Sequence, residues 1–110
     1  MDASELLDFN RDMLSNARRA ADVLKALGHE SRLLILCRLA ERERSVAELE
    51  ELLAMRQPAV SQQLARLRAD RLVVARRDGK AIYYSIATPE IYKIISTLYD
   101  LYCAKDGKGC

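Results

Sequence analysis

The stretch from Ser45 to Ile86, SVAELEELLAMRQPAVSQQLARLRADRLVVARRDGKAIYYSI, constrains the fold of this 110-residue chain more than any other. Ser45 followed by Glu48 fits a capping box, in which each side chain satisfies an orphan amide at a helix start. Leu49, Leu52 and Leu53 then recur at helical spacing and give that short helix one apolar face. The pattern breaks at Ala54-Met55-Arg56 and restarts on Pro58, whose fixed φ and missing N–H suit the first turn of a helix. Val60, Leu64 and Leu67 make an inward stripe on this second helix, while Gln57, Ser61, Gln62 and Arg66 fall largely on its other side. Val73 and Val74 lead into Arg76-Arg77-Asp78-Gly79-Lys80, after which Ile82, Tyr84 and Ile86 alternate with Tyr83 and Ser85. Asp-Gly between two β-rich runs predicts a hairpin with a type I′ turn, which needs φ > 0 at both central residues.

Helix, tight turn, helix and hairpin in that order read as a winged helix-turn-helix, with residues 45–70 as the helix-turn-helix and 72–86 as the wing. The second helix is the part suited to a DNA major groove. Near its start, amide and hydroxyl side chains can reach base edges, since Gln pairs bidentately with adenine and Ser either donates or accepts. Gln57, Ser61, Gln62 and Gln63 are therefore the candidate base readers. Arg66, Arg68, Arg77 and Lys80 are candidates for phosphate or minor-groove contact. Charge agrees: Ala54 to Lys80 holds seven bases against two acids, a surplus of five, whereas Met1 to Leu53 has eight bases against eleven acids. A net charge of only +2 thus conceals a basic middle of the kind that meets a polyanion.

The rest of the chain fits one mainly α-helical domain, residues 1–110, with a small β-hairpin. No apolar run approaches the roughly 18 residues of a membrane span, and the acidic start MDASELLDF lacks the basic region of a secretory signal. A cytoplasmic location is expected, where thiols stay reduced, so Cys37, Cys103 and Cys110 are not expected to form a structural disulfide framework. Ser4 to Leu27 reads as helix, bent or interrupted near Ser15-Asn16, and ends at Gly28. Glu30 to Glu41 is a second, largely buried helix carrying Cys37 on the side of Leu33 and Ala40. Thr88-Pro89-Glu90 opens a last helix, with Thr88 as N-cap, and residues 105–110 form a loose tail. The first and last helices carry more apolar surface than one small domain can hide. Residues 1–28 and 88–104 are therefore expected to form a homodimer interface.

LKALGHESRLLILCRLAE followed by the Ser45–Ile86 stretch resembles the ArsR family of dimeric winged-helix repressors, most specifically in QPAVSQQLARLR and the Arg-Asp-Gly-Lys wing. The resemblance covers nearly the whole chain from about Leu24. It implies binding of double-stranded operator DNA as a homodimer, released when an inducer engages a sensing site. The family's soft-metal site places cysteines on the first helix of the helix-turn-helix, but Ser45-Val46-Ala47-Glu48 has none. Its other common site uses Asp and His on the last helices, and the single histidine, His29, lies elsewhere. No metal site and no cofactor are expected, and a metal-responsive repressor is the alternative reading. The pair Cys37 and Cys103 resembles the thiol-based, persulfide- and redox-responsive branch, whose two cysteines occupy those same helices. That likeness implies derepression when a persulfide or another thiol oxidant bridges Cys37 and Cys103 by a disulfide or polysulfide. Cys110 is expected to be incidental. A cysteine-dependent enzyme would call for a positioned base or a Cys-x-x-Cys, and neither is present, so no enzymatic activity is expected. A winged helix used for protein contacts is the remaining alternative.

Overall fold

A computed structural model describes residues 2–103, with five helices and a three-stranded antiparallel sheet. The helices are α1 (Ala3–Leu27), α2 (Glu30–Glu41), α3 (Val46–Leu53), α4 (Gln57–Ala69) and α5 (Pro89–Tyr102). The strands are β1 (Arg44–Ser45), β2 (Val73–Asp78) and β3 (Ala81–Ile86), in the order β1-β3-β2. Residues 105–110, expected to be a loose tail, and Cys110 among them, lie outside the described residues.

Helix α2 is the hub. It packs against α1, α3, α4, α5 and β3, which is why its residues Ile35, Leu36 and Leu39 are buried. Leu49 of α3, Val60, Leu64 and Leu67 of α4, and Ile91 and Ile95 of α5 close the same core. Spacings of three and four residues put each of these sets on one face of its helix. Burying such side chains stabilises the fold by about 1.5–3 kcal/mol apiece. No helix among the described residues is long and apolar enough to cross a membrane.

Local signals explain most boundaries. The capping box is complete: Ser45 Oγ accepts from the Glu48 amide at 3.2 Å and Glu48 Oε1 accepts from the Ser45 amide at 3.3 Å. Thr88 Oγ1 caps α5 by accepting from the Ile91 amide. Helix α4 ends in a Schellman motif, with the Leu72 amide donating to the Leu67 carbonyl and Arg71 in the left-handed region at φ 63°. Leu67 and Leu72, both buried, supply the hydrophobic contact that accompanies it.

Three expectations are corrected. Helix α1 runs uninterrupted through Ser15 and Asn16, because two polar residues on an exposed helix weaken its propensity without breaking its hydrogen bonds. Arg44 and Ser45 form an edge strand against Tyr84 and Tyr83, so the wing sheet has three strands rather than two. At the hairpin, Asp78 pairs with Ala81, which leaves Gly79-Lys80 as the two-residue loop. Only Gly79 of that loop has positive φ, 63°, the pattern of a type II′ turn with glycine first.

Candidate nucleic-acid interface and thiol pair

Helix α4 owes its orientation to its own apolar stripe. With Val60, Leu64 and Leu67 at zero exposure, the geometry of 3.6 residues per turn fixes where every other residue points. Gln62 and Arg66 lie opposite the stripe and are exposed. Gln57 and Ser61 follow one flank, and the Gln57 side-chain amide donates to Ser61 Oγ at 2.7 Å. This intrahelical bond holds two candidate base readers side by side at the start of the helix. Arg66 pairs with Asp70 at 3.4 Å, an exposed contact that a phosphate can displace at little cost. Arg68 is exposed near the end of the helix.

Gln63 behaves differently. It sits on the flank facing α2, half-buried, and its Oε1 accepts from Arg32 Nε at 3.0 Å. The structure thus leaves Gln57 and Gln62 exposed, with the partly buried Ser61 bonded to Gln57, and ties Gln63 to Arg32.

The wing divides its basic residues in the same way. Successive strand residues point to opposite faces, so Arg76 and Arg77 face different surroundings. Arg76 forms a two-pronged pair with Glu43, at 2.6 and 3.0 Å, and lies 5.0 Å from the centroid of the Tyr83 ring. That guanidinium holds the Glu43 carboxyl below the usual carboxylate range. Arg77 and Lys80 are exposed and form no ion pair among the described residues. They flank Gly79, whose left-handed backbone projects the tip and which has open space around it. Arg77 and Lys80 on the wing, like Gln62 and Arg66 on α4, are thus exposed to solvent.

Cys37 lies on α2, half-buried against the core, as a free thiol. Burial pushes its pKa up, Glu41 one turn on adds to this, and Arg38 opposes it. Cys103 caps the end of α5, its amide donating to the Tyr99 carbonyl at 2.8 Å. It is disulfide-bonded while Cys37 is free, so the two are not joined to each other in this structure. Their helices, however, pack directly against one another. Among the described residues no group of three or more His, Cys, Asp or Glu side chains is placed to hold a metal ion. His29 is exposed at the N-cap of α2, where its Nδ1 meets Ser31 Oγ at 2.8 Å.

Sequence reasoning misses Arg32 and Glu43. Arg32 carries a usable signal, because it precedes Leu36 by four and Leu39 by seven and so shares the spacing of the buried stripe of α2. A charge at such a position needs polar partners from neighbouring elements. Glu43 carries none, since its partner is 33 residues away.

The sequence model described as bacterial regulatory protein, arsR family, matches residues 29–74. Over 95 residues the chain is 39% identical to the biofilm growth-associated repressor of Xylella fastidiosa (strain 9a5c), an overlap of 86% of this chain and 83% of that protein. It is 41% identical over 93 residues to the transcriptional activator HlyU of Vibrio cholerae, covering 84% of this chain and 86% of that one. The solved structure of reduced HlyU from Vibrio cholerae N16961 superposes with a TM-score of 0.81 at 41% identity, over 84% of this chain and 98% of that chain.

Proposed function

This chain is a transcriptional regulator belonging to the ArsR family of bacterial regulatory proteins, and we propose that it works as a homodimeric repressor released from operator DNA when Cys37 and Cys103 become bridged. In this reading Gln57, Ser61 and Gln62 meet base edges in the major groove. Arg66, Arg68, Arg77 and Lys80 engage phosphates or the minor groove. The protein acts in the cytoplasm, where the operator lies.

Dimerisation is supported by what α1 and α5 leave uncovered. Leu6, Leu7, Met13, Leu14 and Leu24 on α1, and Tyr92, Leu101 and Tyr102 on α5, are each about half exposed or more. An open groove of about 1210 Å³ between α1, the end of α4 and the start of α5 meets this surface at Leu24 and is lined by charged as well as apolar side chains. Apolar area of this extent marks an interface, and a second copy presenting the same face covers it symmetrically.

The observation that carries the switch is the position of α2. It bears Cys37, packs on α5, which ends at Cys103, and supports α4, which faces the DNA. The chemistry balances in two steps. Once a cellular thiol has reduced the disulfide that Cys103 holds in this structure, the Cys103 thiolate attacks the outer sulfur of a persulfide, forming a Cys103 persulfide and releasing the carrier thiol. The Cys37 thiolate then attacks the inner, Cys103 sulfur and expels hydrosulfide, which leaves a disulfide; if a second persulfide has first converted Cys37 to its own persulfide, the outer sulfur of Cys37 makes the same attack, expels hydrosulfide and leaves a trisulfide. Where Cys103 is already disulfide-bonded, Cys37 reaches the same product by exchange, releasing the other thiol. Burial lowers the thiolate fraction of Cys37, which an attack within the protein, at high effective concentration, tolerates better than an attack on a persulfide in solution. Coupling of about 1–3 kcal/mol, a 5–150-fold loss of affinity, suffices for derepression.

The test is the affinity of the protein for a duplex from its own promoter, with and without persulfide, for wild type, Cys37→Ser and Cys103→Ser. Wild type should release and both variants should stay bound. Undiminished release in both variants removes the thiol switch, and stoichiometric zinc or cadmium binding that drives release would favour a metal-responsive repressor instead.

A further inference from the structure

We infer that Arg32 is a positioning residue that sets the recognition helix α4 against the end of α1, and that Gln63 serves this strut instead of reading a base; the inference rests on α4 being the DNA-facing helix. Arg32 sits in the first turn of α2, half-buried. Its Nε donates to Gln63 Oε1 at 3.0 Å and its Nη1 donates to the Ala26 carbonyl at 3.1 Å. Ala26 is in the last turn of α1 and is 5% exposed, so its carbonyl is one of the orphan acceptors at a helix end and has little access to water. One guanidinium therefore satisfies α1, springs from α2 and holds α4.

The chemistry favours arginine for this task. Its donors are fixed in a planar fork, so meeting two acceptors at once sets the distance and angle between them. Lysine, with one rotatable ammonium, cannot impose that geometry. Among the described residues no other side-chain hydrogen bond or ion pair joins these three helices, whose shared core is hydrophobic. Hydrophobic contact is non-directional and lets a helix slide or roll, whereas a forked hydrogen bond resists both. Gln63 could reach DNA only by abandoning Arg32, which would leave a half-buried charge short of a partner. Gln62, its neighbour, points outwards and is free for that role.

Arg32 also joins two regions that the fold otherwise keeps apart. Helix α1 touches the rest of the described chain mainly through α2 and buries only its last turns, at Ala26 and Leu27. Through Arg32, a shift of α1 reaches α4 directly.

The test uses the full chain with Gln63→Met, Arg32→Met, Arg32→Lys and the double Arg32→Met/Gln63→Met variant. Four readouts are compared: affinity for a duplex from its own promoter, affinity for an unrelated duplex, base preference across single base-pair changes, and melting temperature. Each single variant should lose about ten-fold in promoter affinity, the size of one charge-assisted hydrogen bond. The identity of the preferred base at each position and the affinity for unrelated duplex should not change, and the double variant should be no weaker than the weaker single one. A merely structural role would lower the melting temperature without changing the ratio of specific to non-specific affinity. Should Arg32→Met fail to fold, Gln63→Met alone decides. A changed base preference in Gln63→Met, or losses that add in the double variant, overturns the inference. Wild type binding no duplex at all would instead overturn the DNA-facing role of α4, and this inference with it.

Discussion

Replacing Arg77 and Lys80 together by alanine should flatten the salt dependence of DNA binding, and the structure sets the size of the effect. Both side chains are exposed at the hairpin tip and neither is engaged by an acid among the described residues. Removing one cation from a phosphate lowers the slope of log affinity against log salt by about 0.9. Between 50 and 200 mM salt that is about 3.5-fold per phosphate, so the affinity of the double variant should fall roughly 12-fold less than that of wild type across this range. Arg76, adjacent in sequence, makes the control. Its guanidinium is already held by Glu43 at 2.6 Å and lies 3.8 Å from Asp78, so Arg76→Ala should change the slope much less. Conversely, Glu43→Gln should release Arg76 and steepen the slope by up to about 0.9. Fluorescence anisotropy of a labelled promoter duplex, titrated across that salt range, measures the slope for wild type and each variant. An unchanged slope for the double variant, or an equal fall for Arg76→Ala, would refute the division of the wing into paired and available cations.

Other consequences concern the interface, the thiol and the fold. Leu14→Glu places a carboxylate on the exposed apolar face of α1, and burying it unpaired costs roughly 3–5 kcal/mol, so sedimentation equilibrium should show dimer dissociation rising a hundredfold or more. Because burial and Glu41 raise the Cys37 pKa, its alkylation by iodoacetamide should reach half-maximal rate at a higher pH than an exposed thiol. The sign for stability follows: the neutral thiol is favoured in the folded state, so its contribution is complete below the unfolded pKa and is lost as pH rises through the raised folded value. Ser45→Ala removes the capping box and should cost about 1 kcal/mol, seen as a fall of about 4–8 °C in melting midpoint.

Which parts of this molecule can be read from its residues follows from the range of the forces involved. The caps at Ser45 and Thr88, the stop after Leu53 and the apolar stripe of α4 are decided within four residues, and all are legible. Strand β1 is not, because two residues cannot display a period and Arg44-Ser45 is extended only by pairing with Tyr84 and Tyr83. The hairpin is legible as a hairpin but one residue out of register. Asp-Gly fits either turn position, and the pairing of Val73 with Ile86 down the strands fixes which is used. Ser15-Asn16 reads as a break only if local propensity rules, whereas hydrogen bonds on both sides carry α1 through. At the candidate interface, helical spacing locates Gln57 and Gln62 on exposed surface, with the partly buried Ser61 one turn after Gln57. The bonds that turn Gln63 and Arg76 away from it span 31 and 33 residues and belong to the tertiary structure alone.

The most direct measurement of the proposed switch is mass spectrometry of the fraction released from promoter DNA by persulfide, digested without reduction. The peptides containing Cys37 and Cys103 should be joined by two or more sulfur atoms, in proportion to the DNA released. Released protein in which Cys37 remains a free thiol would contradict the bridge as the cause of derepression.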